Sequence, residues 1–160
     1  MPLEIGSPAP DLTLPVAPGA PPVSLAAYRG KQPVVVAFFP LAFSSVCTEE
    51  ICQLQEGMQA WEALDAAVLG VSVDSIFVNL KFAEETGATF PLLSDFNREA
   101  VTAWGVRNDD YFGMRGVANR AVFVVDPAGR IAYAWMSHDS DMLPDFEAVK
   151  DALRGMHSGE

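Results

Sequence analysis

The sequence predicts an α/β fold, with a central mixed β-sheet flanked by helices and an N-terminal extension before it. Two observations carry that prediction. Apolar, β-branched runs alternate with stretches of helical spacing over most of the chain, the order expected of strands joined by covering helices. Near the end, Asp126-Pro127-Ala128-Gly129 separates two apolar runs with a turn signal, so the last strands read as an antiparallel hairpin.

Each element follows from its residues. Pro15 to Pro22 (PVAPGAPP) reads as a loop between two short extended pieces. Val34 to Phe39 (VVVAFF) is a continuous β-branched and aromatic run, typical of a strand buried on both faces. Thr48 to Leu64 reads as a helix, and Val68 to Val73 as a second buried strand. Asp74 or Ser75 would cap a helix running to about Thr86, which Gly87 ends. Phe90 to Leu93 is a short strand, with a helix near Arg98 to Trp104. Arg120 to Val125 and Arg130 to Met136 form the hairpin. Pro144 would start a C-terminal helix, amphipathic through Phe146, Val149 and Leu153.

With no internal repeat and no dividing linker, residues 1–160 read as a single domain, long enough to bury about two-thirds of its unfolded surface. The formal net charge of −11 and ten dispersed Lys and Arg argue against nucleic acid and against an anionic membrane surface. MPLEIGSPAPDL has no basic stretch followed by an apolar core, so no signal peptide is read there. No run approaches the roughly 18 apolar residues of a membrane span. A cytoplasmic location is therefore expected, where a persistent structural disulfide is rare.

The two cysteines, Cys47 and Cys52, both lie in FFPLAFSSVCTEEIC. They could be a working pair, one reactive thiol beside a buried bystander, or two metal ligands. Cys47 falls after a buried strand and a short loop, at the first turn of a helix. A helix N-terminus offers free N–H groups and about half a positive charge, both favouring thiolate over thiol. A nearby arginine would add a fixed cation. The bland alternative is a small buried hydrophobe.

Pro40, Ser44 and Cys47 form P-x-x-x-S-x-x-C, which resembles the active-site motif of the peroxiredoxins, thiol peroxidases with a thioredoxin-like fold. Ser44 stands where that family usually has Thr, and Arg120 in ANRAVFVVD sits where it places an arginine at a strand start. The likeness runs from GSPAPDLTL through YRGKQPVVVAFFP, FPLLSD and NRAVFVVDPAGRI to the last helix. FFPLAF and FPLLSDF are similar to the AhpE-type branch, whereas C-T-E-E-I-C resembles the bacterioferritin-comigratory (PrxQ) type.

The resemblance implies a role for each residue. The Cys47 thiolate attacks the peroxide and becomes a sulfenic acid. Ser44 hydrogen-bonds thiolate and peroxide, Arg120 holds the developing charge, and Pro40 ends the strand and shields the sulfur. Glu50, in a C-T-x-E pattern, orients the arginine, although an acid in a first helical turn is favourable anyway. Cys52 stands where the PrxQ type has its resolving cysteine. Five helical residues give about 140° of rotation and roughly 8–9 Å between Cα atoms. A disulfide needs less than about 7 Å, so Cys47–Cys52 pairing demands unwinding. Otherwise Cys52 is a bystander and the enzyme works with one cysteine.

No cofactor or metal is implied. The expected partners are a peroxide and a reducing dithiol, thioredoxin or a glutaredoxin-like or mycothiol-linked donor, with the protein a monomer or a homodimer. Apolar residues near Leu41, Phe43 and Phe112 suggest tolerance for alkyl groups, and 109–114 (DDYFGM) is a candidate dimer edge. Two other functions compete. A thiol–disulfide oxidoreductase would normally show C-x-x-C. A copper-binding protein using Cys47, Cys52 and His138 would normally show C-x-x-x-C. His138 and His157 read as solvated; Asp139 and Asp141 lack EF-hand spacing, and phosphate-binding glycine patterns are absent.

Overall fold

The computed structural model describes residues 3–138 and 142–158. The N-terminal extension pairs β1 (Thr13–Leu14) antiparallel with β2 (Val23–Ser24) across the Pro-rich loop, and a 3-10 turn follows at Leu25–Tyr28. The main sheet is built from β3 (Val34–Phe38), β4 (Ala67–Ser72), β5 (Leu92–Ser94), β8 (Arg120–Val125) and β9 (Ile131–Ser137). Its order is β5-β4-β3-β8-β9. The β3–β4 and β4–β5 pairs are parallel, while β3–β8 and β8–β9 are antiparallel, which makes the sheet mixed as expected. A small ribbon of β6 (Arg107–Asn108) and β7 (Val117–Ala118) precedes β8.

Side chains alternate across the pleat, and β3 shows it directly. Val34, Val36 and Phe38 pack on one side with Leu69, Val71, Trp104 and Phe123. Val35, Ala37 and Phe39 pack on the other with Cys47, Ile51, Leu54, Trp61, Phe82, Val149 and Leu153. The second face is therefore covered by α1 (Ser45–Glu56), α2 (Met58–Ala63), α3 (Ile76–Thr86) and α5 (Phe146–Ser158). The first is covered by α4 (Glu99–Ala103), Trp104 and the N-terminal hairpin. No helix among the described residues is long and apolar enough to cross a membrane.

The structure corrects several boundaries. The helix expected over Thr48 to Leu64 begins earlier, at Ser45, and is interrupted at Gly57. A glycine costs about 1 kcal/mol in a helix interior. A Cβ there would meet Trp61 Nε1 at 3.0 Å, and that nitrogen donates to the Leu54 carbonyl at 3.0 Å. The short strand expected at Phe90 to Leu93 runs instead from Leu92 to Ser94, because Pro91 has no N–H to enter the ladder. The last strand covers Ile131–Ser137 rather than Arg130 to Met136. Pro144 precedes α5 instead of starting it, and Asp145 caps that helix by accepting the Glu147 amide at 3.1 Å. Ser75, not Asp74, caps α3 through the Val78 amide, and Gly87 ends it at φ +74°.

Candidate active site

Strand β3 delivers the chain to the site. Phe39 donates its amide to the Val71 carbonyl at 3.0 Å, and Pro40, which has no N–H, takes the chain out of the ladder. The loop then turns through Phe43 at φ +68° to Ser44, whose carbonyl accepts the Thr48 amide at 2.9 Å. Cys47 is thus the third residue of α1 and lies in its first turn, as expected. Its side chain is fully buried.

Arg120 reaches the sulfur through sheet topology. Because β8 runs antiparallel to β3 with Ala121 opposite Phe38, its first residue lies beside the end of β3. Arg120 Nη2 donates to Cys47 Sγ at 3.3 Å, and Nη1 donates to Glu50 Oε1 at 3.1 Å. Glu50 follows Cys47 by three residues, so both lie on one face of α1 and meet the same guanidinium. Arg120 and Glu50 are 1% and 0% exposed, a buried pair reached from 70 residues apart.

Burial governs the ionisation of this pair. Removal from water pushes the Glu50 carboxyl up to about 7, against the opposing pull of Arg120. Its second oxygen, Oε2, has no hydrogen-bond partner among the described residues, which favours the neutral acid further. Burial would lower Arg120, but the charges of Glu50 and Cys47 outweigh it and hold the guanidinium above its ordinary value.

Other expected residues stand differently. Ser44 Oγ donates to the Leu41 carbonyl at 3.2 Å rather than to the sulfur, closing its own four-residue loop. It does not cap α1 through its side chain. Cys52 lies half-buried on intact α1, and both cysteines are free. Pro40, Tyr111, Asn119, Arg120 and His138 line a shallow cleft. His138, expected to be merely solvated, is exposed yet belongs to that lining. Phe112 stays outside, 83% exposed with its ring 4.8 Å from Tyr111, and Phe43 packs on Phe82 at 5.1 Å. Asp139, Asp141 and the side chain of His157 lie outside the described residues.

Local spacing missed Asp74, whose Oδ2 accepts the Ala42 amide at 2.7 Å from across 32 residues. Nothing in VSVDS announces a partner that distant. Tyr111 and Asn119 enter the cleft beside the β6–β7 ribbon; both lie in segments noted in the sequence, but neither was singled out as a site residue.

The sequence profile of the AhpC/TSA family matches residues 5–134. The chain belongs to the AhpC/TSA family. Alkyl hydroperoxide reductase E of Mycobacterium tuberculosis is 39% identical over 156 residues, covering 96% of this chain and 98% of that protein. Peroxiredoxin-2 of Rattus norvegicus is 36% identical over 160 residues, covering 94% of this chain and 76% of that one. Among solved structures, peroxidoxin BcpB from Mycobacterium tuberculosis superposes with a TM-score of 0.85 at 26% identity, covering 96% and 98% of the two chains. This AhpC/TSA member is a peroxiredoxin of thioredoxin-like fold, and thus a thiol-dependent peroxidase. Its likeness to both an alkyl hydroperoxide reductase E and a BcpB matches the mixed motifs of its sequence.

Proposed function

We propose that Cys47 is the thiol that reduces hydrogen peroxide and organic hydroperoxides. The observation that carries this reading is the 3.3 Å contact of Arg120 with a sulfur in the first turn of α1. The thiolate attacks the outer peroxide oxygen in line, and the O–O bond breaks. Cysteine is oxidised to the sulfenic acid, and the leaving oxygen takes a proton and departs as water or alcohol. Arg120 supports negative charge first on sulfur and then on oxygen. Glu50 fixes the guanidinium, Pro40 walls the cleft, and Ser44 turns its hydroxyl from Leu41 to the arriving peroxide. The cleft lined by Pro40, Tyr111 and Arg120 is the proposed approach of the peroxide.

The Cys52 thiol then displaces water from the sulfenic acid, giving a Cys47–Cys52 disulfide after the start of α1 unwinds. A dithiol donor, thioredoxin or a glutaredoxin-like or mycothiol-linked protein, restores both thiols. A one-cysteine cycle is the second reading, favoured by intact α1 and the half-buried Cys52. The protein works as a monomer or a homodimer, and the exposure of Phe112 supports 109–114 as the candidate edge where copies would meet.

Stopped-flow Trp fluorescence tests the reading. Trp61 reports on α1 through its bond to the Leu54 carbonyl. Sub-stoichiometric peroxide should change the signal rapidly in the native protein and leave Cys47→Ser silent; an equal response in that variant rejects Cys47. Mass spectrometry after one equivalent should show loss of two hydrogens, whereas Cys47 oxygen adducts beside unmodified Cys52 would establish the one-cysteine cycle.

A further inference from the structure

The six residues between β3 and α1 must place the sulfur against Arg120, yet their backbone is not relaxed. Phe43 has a φ of +68°, a left-handed conformation that a side-chain-bearing residue disfavours. Such a turn persists only where its surroundings hold it. One tie is the Phe43 ring on Phe82 at 5.1 Å, and another is the Ser44 hydroxyl on the Leu41 carbonyl at 3.2 Å. The tie that carries charge comes from outside the loop: Asp74 Oδ2 accepts the Ala42 amide at 2.7 Å.

Asp74 is itself held. Ser72 Oγ donates to the same Oδ2 at 2.8 Å and lies 3.2 Å from Asn79 Oδ1. Ser94 Oγ donates to the Asp74 carbonyl at 2.6 Å, and Asn79 Nδ2 to the Leu93 carbonyl at 3.3 Å. The ends of β4 and β5 and the first turn of α3 thus form a platform, with one carboxylate oxygen pointing at the loop.

We propose that Asp74 is a positioning residue, which pins the 40–44 loop through the Ala42 amide and so keeps Cys47 docked against Arg120. The inference rests on Cys47 being the peroxide-reactive thiol. Releasing the pin lets the loop relax and the start of α1 loosen. A fully buried sulfur then becomes accessible to bulk reagents while losing its alignment for peroxide. The two effects have opposite sign, which a general loss of stability does not produce at temperatures where the protein stays folded.

The experiment uses a Cys52→Ser background, where Cys47 is the sole thiol, and compares it with added Asp74→Ala or Asp74→Asn. Iodoacetamide alkylation in alkaline buffer measures opening, and stopped-flow fluorescence measures oxidation by peroxide. Asp74→Ala is expected to alkylate about tenfold faster and to oxidise about tenfold slower, the scale of one lost charge-assisted bond. Asp74→Asn should stay within about twofold on both, because both bonds fall on one oxygen that an amide carbonyl reproduces. If Asp74→Ala does not fold, Ser72→Ala keeps the carboxylate but loses the hydroxyl that aims it, and should move both rates the same way, by about threefold. Unchanged rates in the folded variant, or equal damage in Asp74→Ala and Asp74→Asn, would overturn the proposal. If the background protein ignores peroxide, the peroxidase role of Cys47 fails, and alkylation still decides whether Asp74 holds the loop.

Discussion

At Glu50 and Cys47 a single guanidinium is shared, and the sharing has a measurable pH signature. Glu50 titrates near 4.5 in the unfolded chain and is pushed up to about 7 when buried. Between these values the folded protein keeps a proton that the unfolded chain releases. The stabilisation from neutral Glu50 is complete below about 4.5 and is lost as pH rises through 7. Denaturant unfolding of the native protein and Glu50→Gln at several pH values isolates it. The stability of the native protein relative to the variant should fall by about 3 kcal/mol over that range; parallel curves would mean that Glu50 keeps its proton equally in both states. Pro40 and Cys47 were legible from the P-x-x-x-S-x-x-C motif and Arg120 from the family resemblance; the structure sets Arg120 against the Cys47 sulfur and on one cleft lining with Pro40. Glu50 was legible as a helical neighbour of Cys47. Asp74 was not, since its side chain looked like a local cap and its partner is an amide, which every residue but proline carries.

For helix α1, the central fact is that Cys47 and Cys52 share an intact helix while both remain free. A disulfide between them requires that helix to open. After peroxide treatment, amide hydrogen exchange should speed up across residues 45–52, while β3, β4 and β8 keep their protection. With Cys52→Ser the exchange should stay at the reduced level; unchanged protection in an oxidised, disulfide-bonded native protein would contradict the helix geometry. Strand β3 was readable from its continuous β-branched and aromatic run, and α3 from its cap residues and Gly87. The break at Gly57 was not, because the apolar spacing continues through it. What decides that break is an indole packed against the backbone, a contact between turns that no one-dimensional pattern records.

The whole molecule is a five-stranded sheet with a packed layer on each face, and only one layer contains the thiol. On the other, Trp104 lies edge-on to Phe123 at 5.2 Å and tilted to Phe38 at 5.7 Å, fully buried. Trp104→Ala should cost about 3–5 kcal/mol in denaturant unfolding. In the protein that remains folded, the peroxide oxidation rate should stay within a few-fold, since the sheet separates the two layers. A large rate loss in the folded variant would show that the layers are coupled. The α/β class and the final hairpin were legible from the order of elements. Which helix covers which face was not, because that is settled only when the chain closes on itself.

The segment from residue 32 to residue 80, which supplies β3, α1, α2 and β4, contains no Lys or Arg. The cation at the thiol is Arg120, supplied from a distant strand and buried out of sight of any approaching molecule. To a reductant arriving at α1, the surface therefore presents Glu49 and Glu56 in a chain of net charge −11. Uncharged peroxides do not feel that field, so the oxidative half-reaction should be indifferent to ionic strength. The reductive half-reaction should not be. An acidic donor is repelled and should reduce faster as added salt screens the encounter, whereas a basic donor should slow. The slope of the reduction rate against salt therefore reads out the charge of the donor.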